Sequence, residues 1–285
     1  MRICRFNEKC LGLLRGDILY DVSTVLQQLP KVSWPYPLGD SLISNLPALK
    51  EHLISAVEHA DAVSIADVVI NSPVANPSKI IGAPVNYQKH LDEVDSDAEL
   101  HHGQSVKPIE RIGLFLKSVS SLVGMGEGIA LRFPERRTDH EVELAVVIGR
   151  KADRVSRAEA LEFVAGYSIG LDISARGSEE RSMRKSIDTY SVLGPCLVTP
   201  DEVGDVGQLD LELSINGEQR QASNTRHLIF DVPRLIELAS SFYTLYPGDI
   251  IMTGTPEGVG PVVPGDLLEA RIESVGEMSV RFRAA

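Results

Sequence analysis

Glu141 and Glu143 stand two residues apart at the head of an apolar run, His140-Glu141-Val142-Glu143-Leu144-Ala145-Val146-Val147-Ile148-Gly149. On an extended strand, residues i and i+2 share a face, so the two carboxylates project side by side. Like charges that close repel, and burying them is costly unless a cation lies between them. A second apolar run, Val164–Leu171, ends in Asp172. An all-carboxylate set at strand ends suits a hard cation, Mg²⁺, Mn²⁺ or Ca²⁺, better than zinc or copper. Three protein ligands leave positions for water or for a substrate that chelates through two oxygens. The competing reading is an edge strand with both glutamates in solvent and Asp172 capping a turn. The unbroken apolar run after Leu144 speaks against it, because a half-exposed strand alternates.

Three further groupings carry chemistry-bearing residues. In Asn86-Tyr87-Gln88-Lys89-His90-Leu91-Asp92-Glu93, a helix makes His90 and Glu93 neighbours at i, i+3. A carboxylate beside an imidazole orients the ring and raises its basicity, as a general base requires; an ordinary surface charge pair has the same spacing. Asp172-Ile173-Ser174-Ala175-Arg176 and Arg184-Lys185-Ser186 place cations near the acids, either to bind an anionic substrate or to hold a ligand in place. A solvated loop is the alternative for this charge-rich stretch. Thr253-Gly254-Thr255-Pro256-Glu257-Gly258 follows the apolar strand Ile250–Met252, where glycines and hydroxyls suit close approach to a ligand. It lacks the Gly-Lys-Ser/Thr end of a phosphate loop, and no nucleophile elbow or dinucleotide fingerprint occurs.

The elements around these residues read as follows. Short strands are expected at 2–6, 11–14 and 18–22, a helix capped by Asp21 or Ser23 running to Gln28, and a helix over Leu46–Ala60. Asn71–Ser78, with two prolines and two asparagines, reads as a linker. It separates a small N-terminal α/β domain, 1–72, from a catalytic domain, 78–285. A helix over Tyr87–Val94 leads into an acidic, histidine-containing loop, Asp95–Gly103. Beyond Arg111 short β segments dominate, broken by a helix over Ala158–Val164 with a capping box at Ser156 and Glu159, and one over Val232–Leu245 capped by Asp231. Asn216-Gly217 is a hairpin turn. The fold class is therefore α+β, mainly β.

The chain's 285 residues carry 43% hydrophobic residues, enough for a sizeable core, and a net charge of −12, which argues against nucleic acid or an anionic membrane as partner. Three cysteines without a CxxC pair disfavour disulfide stapling and thiolate zinc, and fit a reducing cytoplasm. No apolar run approaches the roughly 18 to 20 residues that span a bilayer.

The ordered blocks are specific together. Lys79–His90, Phe115-Leu116-Lys117, Glu141–Gly149, Gly166-Tyr167, Asp172–Arg176, Lys185–Thr189, Gly194-Pro195, Asn216-Gly217-Glu218 and Pro247–Pro256 make the chain resemble the fumarylacetoacetate hydrolase family from about Lys79 onward. The resemblance implies a mixed β-sandwich roll, a homodimer, Mg²⁺ or Mn²⁺ as cofactor, and a small-molecule 2-oxo acid substrate of the kind met in catabolism of aromatic or sugar acids. It implies Glu141, Glu143 and Asp172 as metal ligands, His90 with Glu93 and Lys185 as catalytic residues, and Tyr87, Arg176, Glu179 and Thr255 as substrate contacts. The expected reaction is hydrolysis of a C–C bond in a 2,4-diketo acid. Decarboxylation or tautomerisation of a 2-oxo diacid on the same metal is the alternative, and an inactive metal-stabilised binding module a remoter one. The chain departs from the family pattern at Glu179, where a glutamine is common, and at Gly82–Asn86. His101-His102-Gly103 falls in the expected lid without a family counterpart.

Overall fold

The computed structural model describes residues 1–97, 100 and 107–285. Its centre is a twelve-stranded mixed sheet. From one edge the strands are Ala62–Ser64, Ile18–Asp21, Cys10–Arg15, Arg2–Phe6, Ser191–Val198, Val164–Asp172, Val142–Ile148, Ile250–Met252, Ile80–Gly82 and Phe115–Lys117. From Lys117 the chain makes one 3₁₀ turn, Val119–Ser121, and enters Leu122–Gly124, which pairs in parallel with Ser191–Val198. The far edge is thereby returned to the middle of the sheet, and the sheet curls into a roll. A five-stranded sheet and a three-stranded one, Thr138–His140 between Ser174–Ala175 and Gly260–Pro261, complete the β structure.

The strand Val142–Ile148 is buried along its whole length. Val142, Leu144, Val146 and Ile148 enter one apolar cluster, while Ala145 and Val147 enter a second, shared with the helix Ser41–Ala56. Burial on both faces is why the segment is a continuous apolar run rather than an alternating one. The edge-strand alternative is thus excluded: this strand has Val164–Asp172 on one side and Ile250–Met252 on the other.

Several local expectations need correction. Asn71–Ser78 is no free connector. Ile70–Asn71 pairs with Arg5 and Phe6, residues 71–74 are buried, and the Asp40 carboxylate accepts hydrogen bonds from the amides of Ala75 and Asn76. The same carboxylate caps the long helix through Leu42 and Ile43, so that helix runs from Ser41 to Ala56 and not from 46 to 60. The helix expected after Asp21 is a 3₁₀ turn, Ser23–Gln28; the Ser23 hydroxyl bonds the Asp21 carboxylate and the Leu11 amide instead of capping. The helix expected at 158–164 is likewise one 3₁₀ turn, Ala160–Phe163, since Ser156 Oγ donates to the Glu159 side chain rather than accepting from a helix amide. Of the loop expected at 95–103, Asp95 and Ser96 belong to the helix Gln88–Ser96 and Leu100 is helical; His101, His102 and Gly103 lie outside the described residues. The Val232–Phe242 helix carries its Asp231 cap, and Asn216 and Gly217, both at positive φ, close the hairpin.

Candidate active site

Antiparallel register brings the three acids together. Val142 pairs with Leu171 and the Asp172 amide donates to Glu141 O at 3.0 Å, so Asp172 lies opposite Glu141 across the ladder. Glu143 follows two residues on, on the same face as Glu141. A carboxylate oxygen of each residue lies within 4.8 Å of one from both others, and all three residues are buried. This hard, all-oxygen donor set at chelating separation fits Mg²⁺ or Mn²⁺.

Cations pair with two of the three acids. Lys185 Nζ donates to Glu141 Oε2 at 2.6 Å and to Asp172 Oδ2 at 2.7 Å. Lys117, fully enclosed, donates to Asp172 Oδ1 and to the Tyr190 carbonyl at 2.8 Å. Arg176 reaches Glu141 Oε1 at 3.0 Å and Asp139 Oδ2 at 2.8 Å, and Arg137 Nε meets the other Asp139 oxygen at 2.9 Å. Of the two roles open to Arg176, holding a ligand is therefore the one its contacts support. Burial opposes ionisation of Glu141, but Lys185, Arg176 and His90 outweigh it and hold its pKa well below the usual carboxylate range. Glu143 goes the other way. Burial, then the charges of Asp172 and Glu141, push its pKa up, with Lys185 and a 2.7 Å hydrogen bond from the Gly254 amide in opposition. That amide reaches Glu143 because Gly254 is at φ +98° and packs where a Cβ would lie 2.7 Å from the Asn86 Cβ.

His90 and Glu93 form the expected pair, Nδ1 to Oε2 at 2.8 Å, with His90 buried. The other Glu93 oxygen accepts from the Gly258 amide at 2.9 Å, so the carboxylate is fixed at both ends and neither bond uses the imidazole Nε2. Asn86 pins the approach to this helix through Phe230 and Thr253. Its neighbour Val85 sits at φ +43°, a conformation unfavourable for a β-branched residue and one that such clamps sustain at functional sites. Tyr87 is 1% exposed and its hydroxyl has no hydrogen-bond partner among the described residues. Burial first, then the charge of Glu143, raise its pKa, so the orphaned hydroxyl keeps its proton.

Thr255 is also buried, and its hydroxyl accepts from Gln221 Nε2 at 2.8 Å. Glu179 is the sequence candidate least engaged here: it is exposed and pairs with Arg136. The sequence reading missed Lys117, Asp139 and Gln221 as site residues. Asp139 continues the i, i+2 alternation of Glu141 and Glu143, a signal that was present. Lys117 closes an ordered block, yet only the curl of the sheet carries it to Asp172. Gln221 had no local signal. It ties the Thr255 loop to the strand Val142–Ile148, donating also to Pro256 O at 2.9 Å and accepting from the Val142 amide at 3.1 Å. Gln221→Leu is expected to lower stability by about 2–3 kcal/mol, read by urea unfolding, because buried polar groups lose their partners. An unchanged midpoint would show these bonds to be dispensable.

A β roll that gathers buried carboxylates at strand ends, backs them with lysines and faces them with a histidine–glutamate pair defines a metal-dependent enzyme. The model of the fumarylacetoacetate (FAA) hydrolase C-terminal domain matches residues 79–283, and the chain belongs to this family. It is 52% identical, over the whole of both chains, to a maleylpyruvate hydrolase of Aquipseudomonas alcaligenes. A crystal structure of maleylpyruvate hydrolase from Sphingobium sp. SYK-6, in complex with manganese(II) ion and pyruvate, superposes with a TM-score of 0.84 at 37% identity, covering all of both chains. A mitochondrial oxaloacetate tautomerase of Rattus norvegicus is 35% identical, over 81% of this chain and 79% of its own.

Proposed function

We propose that the protein hydrolyses the C–C bond of an acylpyruvate of the maleylpyruvate type, using Mg²⁺ or Mn²⁺ held by Glu141, Glu143 and Asp172, as a homodimer in the cytoplasm. The carrying observation is the His90–Glu93–Gly258 hydrogen-bond chain in the same β roll as the three clustered carboxylates. A divalent ion at the triad supplies Lewis acidity to a 2-oxo acid. The residues supply the rest. His90, oriented by Glu93, takes a proton from water, whose oxygen adds to the acyl carbonyl carbon. The bond between that carbon and the methylene carbon breaks, and the proton held at Nε2 goes to the methylene carbon. The products are the carboxylate of the acyl part and pyruvate. Lys185 holds Glu141 and Asp172 in place and Lys117 holds Asp172, Tyr87 donates its hydroxyl to the substrate, and Thr255 is set by Gln221.

The oxaloacetate tautomerase relative favours one second reading, in which His90 only moves a proton within an unsplit 2-oxo diacid. Incubation of the Mn²⁺-loaded protein with maleylpyruvate, followed by mass spectrometry, separates the two. Maleate and pyruvate are the expected products; an intact isomer or carbon dioxide would refute hydrolysis.

A further inference from the structure

Arg181 is a half-buried cation beside the site with no hydrogen bond or ion pair among the described residues. Its neighbours are otherwise engaged. Arg176 pairs with Asp139 and Glu141, Arg136 with Glu179, and Arg184 donates to the carbonyls of Glu179 and Ala175. The adjacent Glu180 carboxylate caps the short helix Arg181–Lys185 through the Ser182 amide. The Arg181 guanidinium carbon lies 5.6 Å from the centroid of the Phe115 ring, and Lys185 Nζ, which touches Glu141 and Asp172, lies 5.6 Å from the same centroid. The two cations are therefore no further apart than two such distances, a gap that a short substrate chain bridges. Glu141 and Asp172 are among the charges that Arg181 feels.

Charge balance gives this position its meaning. Lys117, Lys185 and Arg176 are all taken up by Glu141, Asp172 and Asp139, the last of which Arg137 shares. Arg181 is a further cation beside these pairs, with no carboxylate of its own among the described residues. A monoacid acylpyruvate brings a single carboxylate, which belongs at the metal end. A dicarboxylic acylpyruvate brings a second one at its acyl end. We propose that Arg181 binds this far carboxylate and makes the enzyme selective for dicarboxylic acylpyruvates. The inference rests on the hydrolase reading above and deepens it. Arginine suits the task, because a planar guanidinium held over an aromatic ring presents its donors to a carboxylate as a fork.

The test compares kcat/KM for maleylpyruvate with that for the monoacid 2,4-dioxopentanoate, in the Mn²⁺-loaded wild type, Arg181→Leu and Arg181→Lys. The expected result is a preference for the diacid that falls at least ~20-fold in Arg181→Leu and returns in part in Arg181→Lys, mostly through KM. Arg181→Gln replaces the leucine variant if that one does not fold. An equal preference in wild type and variant overturns the proposal while leaving hydrolysis intact. If the wild type cleaves neither compound, it is the hydrolase reading that fails. Calorimetric binding of maleate then decides on Arg181: a dissociation constant raised in Arg181→Leu supports the carboxylate site, and an unchanged one overturns it.

Discussion

Glu143→Gln is expected to yield a folded protein that no longer gains stability from Mn²⁺ and turns over at least ~10²-fold more slowly. Glu143 is buried against Asp172 and Glu141, and its charged form is already disfavoured, so the neutral isostere fits the metal-free fold without loss. The glutamine carbonyl still accepts the Gly254 amide, which keeps the loop in place. In chelator the variant should therefore melt no lower than wild type. With Mn²⁺ at about a hundred times its dissociation constant, the wild type gains about 2.7 kcal/mol and the variant gains little, because a metal bound only by the native state stabilises by mass action. Differential scanning calorimetry with and without metal makes the comparison. An equal Mn²⁺-dependent rise in both proteins would remove Glu143 from the ligand set.

His90→Ala should separate chemistry from metal binding. The imidazole makes no hydrogen bond to the triad carboxylates; its bonding partner is Glu93, so the alanine variant is expected to bind Mn²⁺ with near-wild-type affinity. Its kcat for the acylpyruvate should fall by about 10³-fold, within the range that a positioned general base contributes. Glu93→Gln is a milder perturbation with a specific defect. Both Glu93 oxygens accept hydrogen bonds, one from His90 and one from Gly258. A glutamine offers one acceptor and one donor, so one of those contacts becomes unfavourable and the ring loses its fixed tautomer. Steady-state kinetics beside a calorimetric Mn²⁺ titration reads both variants. Full turnover by His90→Ala would exclude it as the base.

Much of this site is legible in the sequence. Glu141 and Glu143 share a face because of strand periodicity, and His90 with Glu93 because of helix periodicity; both follow from local geometry. The apolar run from Leu144 to Ile148 spoke against an edge strand, and the ladder partners on both sides of it exclude one. Where the local reading erred, a side chain had a tertiary alternative to its expected local role. Ser23 bonds Asp21 and Leu11 in place of a helix end, and Asp40 both starts the long helix and fastens the supposed linker.

The sequence by itself thus determined which residue types could hold a hard cation and which pair could serve as a base, since each lies within a few positions of its partner on one regular element. The tertiary structure decided everything that depends on distant strands meeting. The ladder register set Asp172 opposite Glu141, and the curl of the sheet brought Lys117 under Asp172. The hairpin carried Gln221 to Thr255, and the short helix Arg181–Lys185 set Arg181 over Phe115 without a hydrogen bond or ion pair among the described residues. Contacts between segments far apart in the chain follow from register and closure, and those have no signature in the local order of residues.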